Sequence, residues 1–168
     1  MRKINVIMLL LVIVFLFADY GYVLYYKMKY RTIQPDTQIT DRIACILHAT
    51  GVNSSRERAE LTKAIMNARK VTGFSETLLI ALMYTESRYN NRAVSTKKYK
   101  GLMQTPAATF VYYDVDVLLG AKILAEKLKI TNGSLLQALT MYKGGMNKLA
   151  HQQAQEVLKF KQQIDSIF

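Results

Sequence analysis

One carboxylate in this sequence stands where a solvated helix would not place a charge. The residues before Glu86 are apolar with helical spacing, and Leu79, Leu82 and Met83 fall within about 60° of it on a helix. The carboxylate therefore continues the stripe that faces the core. It also lies near the end of the helix, where the negative pole of the helix dipole opposes it. Both effects favour the protonated form that a general acid needs near neutral pH.

Two basic residues close behind leave a second interpretation open. Arg88 or Arg92 could form a buried ion pair with Glu86, in which case the carboxylate would be a structural residue. Helix geometry alone does not separate this interpretation from the catalytic one, so the choice depends on the residues that follow.

An ordered set of short motifs follows this carboxylate. In chain order they are Glu86-Ser87, Ala93-Val94-Ser95, Gly101-Leu102-Met103-Gln104, Pro106 and Met141-Tyr142-Lys143-Gly144-Gly145. The set resembles the lytic transglycosylases of the soluble-lytic-transglycosylase, or goose-lysozyme-like, family. The pattern of that family is a catalytic Glu and Ser, a small residue and Ser, then G-L-M-Q with a Pro, and finally A-Y-N-A-G. The resemblance covers the chain from Phe74 to Gly145.

The chain departs from the family pattern at several points. Lys143 replaces the usual Asn, so an amide that donates and accepts becomes a cation that only donates. Thr105 alone separates Gln104 from Pro106 where two residues are usual. The segment from Gln104 to Tyr142 is short, and the helix within it matches the family only in part, at Gly120 and its neighbours. These differences predict a trimmed or altered substrate groove.

The resemblance implies a peptidoglycan-cleaving enzyme with one catalytic carboxylate. Glu86 would act as the acid and base, and the substrate's own acetamido group would take the place of the second carboxylate that glycosidases normally use. The resemblance places Ser95, Gln104 and Tyr142 on the substrate, with the Tyr142 hydroxyl directed toward Glu86 or the sugar. Met103 is assigned to the substrate as well, although methionine more often fills a core. The reaction requires neither a metal nor an organic cofactor.

Helical periodicity and capping residues predict an all-α, compact, lysozyme-like domain. We expect a helix before Gly51, a second between a Ser54 or Ser55 cap and Gly73, and a third from a Ser75 cap through Glu86. Residues 88–100 should form a loop, and a short helix should cover 107–112, with a break at 114–116. Three further helices are predicted, the first carrying Val117, the next beginning after Ser134, and the last beginning near Asn147.

The N-terminus is apolar and predicts a membrane segment. Residues 6–18 carry no charge, and extension through the tyrosines to Tyr26 gives a stretch of about the length that spans a bilayer. Because no A-x-A cleavage pattern is present, we interpret it as an uncleaved signal anchor in preference to a cleaved signal peptide. The predicted organisation is an anchor with its flanks at 1–31, a linker at 32–36 and a transglycosylase-like domain at 37–168, with its motifs at 74–145.

Composition restricts the class of partner. The formal net charge of +11 suits an anionic polymer or a membrane surface, but the basic residues are scattered and no nucleic-acid motif occurs. The single cysteine, Cys45, excludes an intrachain disulfide, and neither His48 nor His151 has metal-ligand spacing.

The leading prediction is a single-pass membrane protein whose catalytic domain lies on the extracytoplasmic side. There it would release 1,6-anhydro-muramic products, for a secretion or conjugation apparatus or for a phage, in which case it could be virion-associated. Two alternatives stay open. One is a hydrolytic lysozyme that uses Asp114 or Asp116 to activate water. The other is a non-catalytic glycan-binding or structural component of a membrane or virion.

Overall fold

The computed structural model describes residues 37–106 and 112–168. The contacts divide the chain into two units, Met1–Ile39 and Thr40–Phe168. Nearly all of the first unit lies outside the described residues, and so do the predicted membrane segment, the linker and most of the short helix expected at 107–112. The predicted domain boundaries therefore stay a prediction. In the described ranges, no helix combines the length and the apolar character needed to cross a membrane.

The regular secondary structure of the described residues is helical, as the sequence predicts. The helices are α1 (37–49), α2 (Ser55–Thr72), α3 (Glu76–Ser87), α4 (Tyr113–Ile130), α5 (Leu135–Tyr142) and α6 (Lys148–Ile167). Within residues 37–106 and 112–168 no strand forms. Two isolated bridges, Val94 with Lys100 and Lys100 with Thr105, tie the loop that follows α3.

Capping side chains begin α2, α3 and α6 at the predicted places. The Ser54 and Ser75 hydroxyls accept the backbone N–H groups of Glu57 and Leu78, and the Asn147 side chain accepts that of Ala150. Gly73 ends α2 at φ 75°, a left-handed conformation that glycine adopts without steric cost. Each cap satisfies a backbone group that the helix itself cannot satisfy.

One expected boundary is wrong. Residues 114–116 do not separate two helices, because α4 already begins at Tyr113 and carries Asp114 and Asp116 in its first turn. Carboxylates are favourable at this end of a helix, where the backbone dipole is positive. These aspartates mark the start of α4.

Helix α3 lies at the centre of the domain. It contacts α2, α4 and α6, and every residue from Glu76 to Met83 is buried. A helix that is apolar around its whole circumference must be enclosed by other elements. Glu86 lies in the last turn of this enclosed helix.

Candidate active site

Glu86 lies in the last turn of α3, beside a cleft of about 400 Å³. Its side chain is 14% exposed, so the carboxylate is nearly enclosed yet reaches the cleft. Residues from the end of α3, the loop after it, the α5–α6 connection and the first turns of α6 line this cleft: Thr85, Glu86, Ser95, Thr96, Lys97, Tyr99, Gln104, Tyr142, Lys143, Gly144, Leu149 and Gln153. The fold thus brings together two motifs that lie far apart in the sequence.

The carboxylate of Glu86 is paired with Lys143. The Lys143 Nζ atom lies 2.9 Å from Glu86 Oε1, and the lysine side chain is only 6% exposed. The same ammonium donates a hydrogen bond to Thr85 Oγ1 at 3.1 Å. The alternative partners considered from the sequence were Arg88 and Arg92, but the ion pair forms with Lys143 instead. The Arg88 guanidinium lies over the Tyr84 ring, 3.9 Å from its centroid.

The surroundings of Glu86 act on its protonation in opposite directions. Burial raises the pKa of the carboxyl above its ordinary value, and the adjacent Lys143 ammonium opposes that rise without cancelling it. The carboxyl therefore holds its proton to a higher pH than a solvated glutamate does. A raised pKa is what a general acid needs near neutral pH.

Tyr142 connects the second motif to the first. Its hydroxyl donates a hydrogen bond of 2.7 Å to the Met103 carbonyl, while the partly exposed side chain also lines the cleft. Burial, and to a lesser degree the nearby Glu86, raises the pKa of the Tyr142 phenol well above its ordinary value. The backbone of the G-L-M-Q motif therefore accepts the proton of this hydroxyl, and the expected contact of Tyr142 with the substrate stays a prediction.

Ser95 and Gln104 reach the cleft from the loop after α3, and both also stabilise that loop. The Ser95 hydroxyl accepts the Tyr99 N–H at 3.0 Å. The Gln104 side-chain amide donates to the carbonyls of Ala93 and Gly101 at 3.1 and 2.9 Å. These bonds hold Gln104 at φ 47°, a left-handed conformation that costs free energy in a residue with a side chain. Their contact with substrate stays a prediction.

Met103 lies in the core. It is fully buried and does not line the cleft, so its side chain offers no surface to a substrate in this structure. It packs against α4 at Gly120, where a Cβ atom would come within 2.5 Å of the Met103 Cβ. The assignment of Met103 as a substrate contact is corrected accordingly, because the residue fills space between the loop and α4.

Glu86 is the only acidic residue among the described residues that line the cleft. Asp114, one of the two aspartates considered as a second carboxylate, lines a different depression with Ser54 and Tyr113. The other, Asp116, is 1% exposed within α4. The described part of the site therefore holds one carboxylate.

Several cleft residues were not predicted from the sequence. Thr85 precedes the catalytic candidate directly, and Lys97 and Tyr99 follow Ser95 in the same loop. Leu149 and Gln153 belong to the first turns of α6. The spacing of Leu149 and Gln153, one helical turn apart just after the Asn147 cap, was the available signal.

Comparison with known proteins agrees with this geometry. The model of the transglycosylase SLT domain matches residues 63–164, which is more than half of the chain and includes every residue named for the cleft. No curated protein and no solved structure matches at a significant level. The members of this family are lytic transglycosylases that act on peptidoglycan, and the all-helical domain fits their lysozyme-like fold. The chain belongs to the transglycosylase SLT domain family.

Proposed function

We propose that this enzyme cleaves the bond between N-acetylmuramic acid and N-acetylglucosamine and releases 1,6-anhydro-muramic products, with Glu86 as its acid and base. The observation that carries the proposal is the single carboxylate of the described cleft, nearly buried and with a raised pKa. Hydrolysis by the usual route needs a second carboxylate to activate water or to attack the sugar. A substrate that supplies its own nucleophiles can be cleaved without a second carboxylate on the enzyme.

The reaction proceeds in two steps on one residue. Protonated Glu86 donates its proton to the glycosidic oxygen, and that C–O bond breaks while the acetamido oxygen of the muramic residue bonds to the anomeric carbon. The Glu86 carboxylate then takes the proton of the muramic C6 hydroxyl. The C6 oxygen attacks the anomeric carbon and the acetamido oxygen leaves. The carboxyl regains its proton, and no water enters the product.

The other cleft residues position the glycan. Ser95 and Gln104 present a hydroxyl and an amide from a loop braced by its own hydrogen bonds, so both groups are pre-organised for a polar sugar. The Tyr142 side chain lies against the same cleft, and its hydroxyl secures the floor by its bond to Met103. Their proposed task is to hold the muramic residue with its glycosidic oxygen at Glu86.

The proposed location is the extracytoplasmic face of a membrane. Support comes from the sequence, in which the uncharged residues 6–18 and the tyrosines that follow match a signal anchor. Peptidoglycan lies outside the cytoplasmic membrane, so the catalytic domain must lie there too. A small anchored enzyme of this kind suits local opening of the wall for a secretion or conjugation apparatus, or for a phage.

The test is digestion of purified peptidoglycan by the full-length chain and by its Glu86→Gln variant, with the released muropeptides identified by mass spectrometry. We expect products lighter by one water than reducing-end muropeptides. Because the amide cannot donate a proton as an acid, Glu86→Gln should lower the rate by about 10²–10⁴-fold or more.

A matched control is Glu126→Gln, which removes an exposed carboxylate of α4 and should digest peptidoglycan at the parent rate. Reducing-end products from the parent would replace the proposal with a lysozyme. Binding to peptidoglycan without products from any variant would point to the glycan-binding alternative.

A further inference from the structure

We propose that Lys143 is a positioning residue of this active site. Its ammonium keeps Glu86 charged down to a lower pH than the family's usual Asn would. The inference rests on the proposed role of Glu86 as acid and base. It concerns the residue at which the chain departs most clearly from the family pattern.

The geometry makes Lys143 the direct partner of the carboxylate. The two side chains are 6% and 14% exposed, and 2.9 Å separates the Lys143 Nζ from Glu86 Oε1. A charge pair that is this well shielded interacts far more strongly than an exposed surface pair. The carboxylate form of Glu86 therefore gains an interaction that the protonated form largely loses.

Thr85 fixes the ammonium in place. Its hydroxyl donates to the Leu82 carbonyl at 3.0 Å, which turns a lone pair of the oxygen toward Lys143. The ammonium donates to that oxygen at 3.1 Å. Lys143 itself stands at the C-cap of α5, where its backbone N–H bonds to the Leu139 carbonyl. The position of the charge is thus set by α3 and α5 together.

Among the described residues that line the cleft, Lys143 is the charged group that acts on Glu86. The loop contributes Lys97, an exposed cation, together with the Tyr99 phenol. The α5 side contributes Tyr142, whose hydroxyl is bonded to the Met103 carbonyl. Helix α6 contributes only uncharged groups, from Leu149 and Gln153. The ammonium of Lys143 is therefore the charge that opposes the effect of burial on the protonation of Glu86.

The ion pair has opposite consequences for the two chemical steps. When Glu86 donates its proton, the carboxylate that forms is stabilised by the ammonium beside it, so Glu86 is a stronger acid. When the carboxylate takes the C6 proton, the same attraction makes it a weaker base. An Asn at this position would hydrogen-bond without the charge, and the carboxyl would then keep its proton to a higher pH.

The activity test compares Lys143→Met and Lys143→Asn, which remove the charge, with Lys143→Arg, which keeps it. For the full-length chain, kcat/KM on peptidoglycan is measured against pH. We expect the alkaline limb, where Glu86 loses its proton, to rise by about one pH unit or more in the Met and Asn variants, the usual effect of removing an adjacent opposite charge. In the Arg variant the alkaline limb should fall at the same pH as in the parent.

A second measurement separates this inference from the proposed function. The Glu86 carboxyl carbon is titrated by NMR in protein labelled at glutamate, with the signal assigned by its loss in Glu86→Gln. The midpoint should rise in Lys143→Met and, by less, in Thr85→Val, which removes only the second anchor of the ammonium. This readout needs no activity, so it stands even if Glu86 is not the acid.

An unchanged limb and an unchanged NMR midpoint in Lys143→Met would overturn the inference. A raised midpoint combined with full activity of Glu86→Gln would keep the ion pair and overturn the proposed catalytic role. If the Met variant does not fold, as thermal unfolding would show, the Asn variant and Thr85→Val carry the same two measurements.

Discussion

The hydroxyl of Tyr142 has a structural partner within the protein. It donates to the Met103 carbonyl at 2.7 Å, and Met103 is fully buried, so this carbonyl is shielded from solvent. A buried carbonyl that loses its donor keeps the desolvation cost and gains nothing in return. The bond therefore holds the motif that carries Gln104 against the motif that carries Lys143.

Tyr142→Phe should lower the free energy of unfolding by about 1–3 kcal/mol, because it leaves the Met103 carbonyl unsatisfied. Chemical denaturation of parent and variant measures the difference. Tyr99→Phe is the control, since Tyr99 lines the same cleft but is 40% exposed and should cost little. If Tyr142→Phe unfolds at the parent denaturant concentration while activity falls, the hydroxyl serves the substrate instead.

Between elements, α4 packs closely against the loop carrying the G-L-M-Q motif. Gly120 faces Met103, and a Cβ atom there would lie 2.5 Å from the Met103 Cβ and 2.8 Å from its Cγ. The Cβ of Met103 is attached to the backbone, so a change of rotamer cannot relieve the closer of these contacts. Only glycine lets the loop lie this close to the helix.

Gly120→Ala tests this packing by the sign of its effect. In an open helix position the substitution should stabilise by about 1 kcal/mol, since alanine is the better helix former. Here the clash should dominate and destabilise by about 1–3 kcal/mol. The shift of the Met103 backbone should lower activity too, because Gln104 follows it. Denaturation curves and peptidoglycan digestion measure the two effects.

Lys122→Ala is the control on the same helix, at an exposed position. It should change neither the stability nor the rate by much. A Gly120→Ala variant more stable than the parent would show that α4 and the loop are not in the close contact described.

Across the whole molecule, α3 carries a nearly enclosed carboxylate at each end, and the two have different partners. Glu76 lies at the start of α3. Its Oε1 atom is 3.2 Å from Arg42 Nη1 of α1, and its Oε2 atom is 3.3 Å from Arg69 Nε of α2. Glu86, at the other end, meets the Lys143 ammonium and the cleft. The first carboxylate ties three helices together, and the second is available for chemistry.

Glu76→Gln should reduce the free energy of unfolding by about 1–3 kcal/mol, because it removes the charge that both arginines share. Both arginines are more than one third exposed, so solvent screening limits the loss. Thermal unfolding measures it, with the exposed Glu126→Gln as the matched control. The alkaline limb of the activity profile should not move. A moved limb would mean that the two ends of α3 are coupled.

Patterns within single segments were sufficient to predict much of this protein. The serine caps, the glycine ends and the apolar spacing predicted the helices because each depends on residues within a turn or two of one another. The spacing that places Glu86 on the stripe of Leu82 and Met83 predicted a buried carboxylate for the same reason. The break expected at 114–116 was wrong because acidic residues serve equally well in loops and in the first turn of a helix.

What the sequence by itself determined is the helical class, the position of Glu86 at the end of a buried helix, and the family, through motifs whose order and spacing are written in the chain. Only the tertiary structure decided which groups contact Glu86, the Tyr142 hydroxyl and Met103. Lys143 contacts Glu86, and the Tyr142 hydroxyl contacts the Met103 carbonyl, because α6 packs against both α3 and α5 and so brings the end of α5 to the end of α3. Met103 turns into the core against Gly120. Such contacts join segments distant in sequence, so they depend on how whole helices pack against one another, which no local pattern of residues specifies.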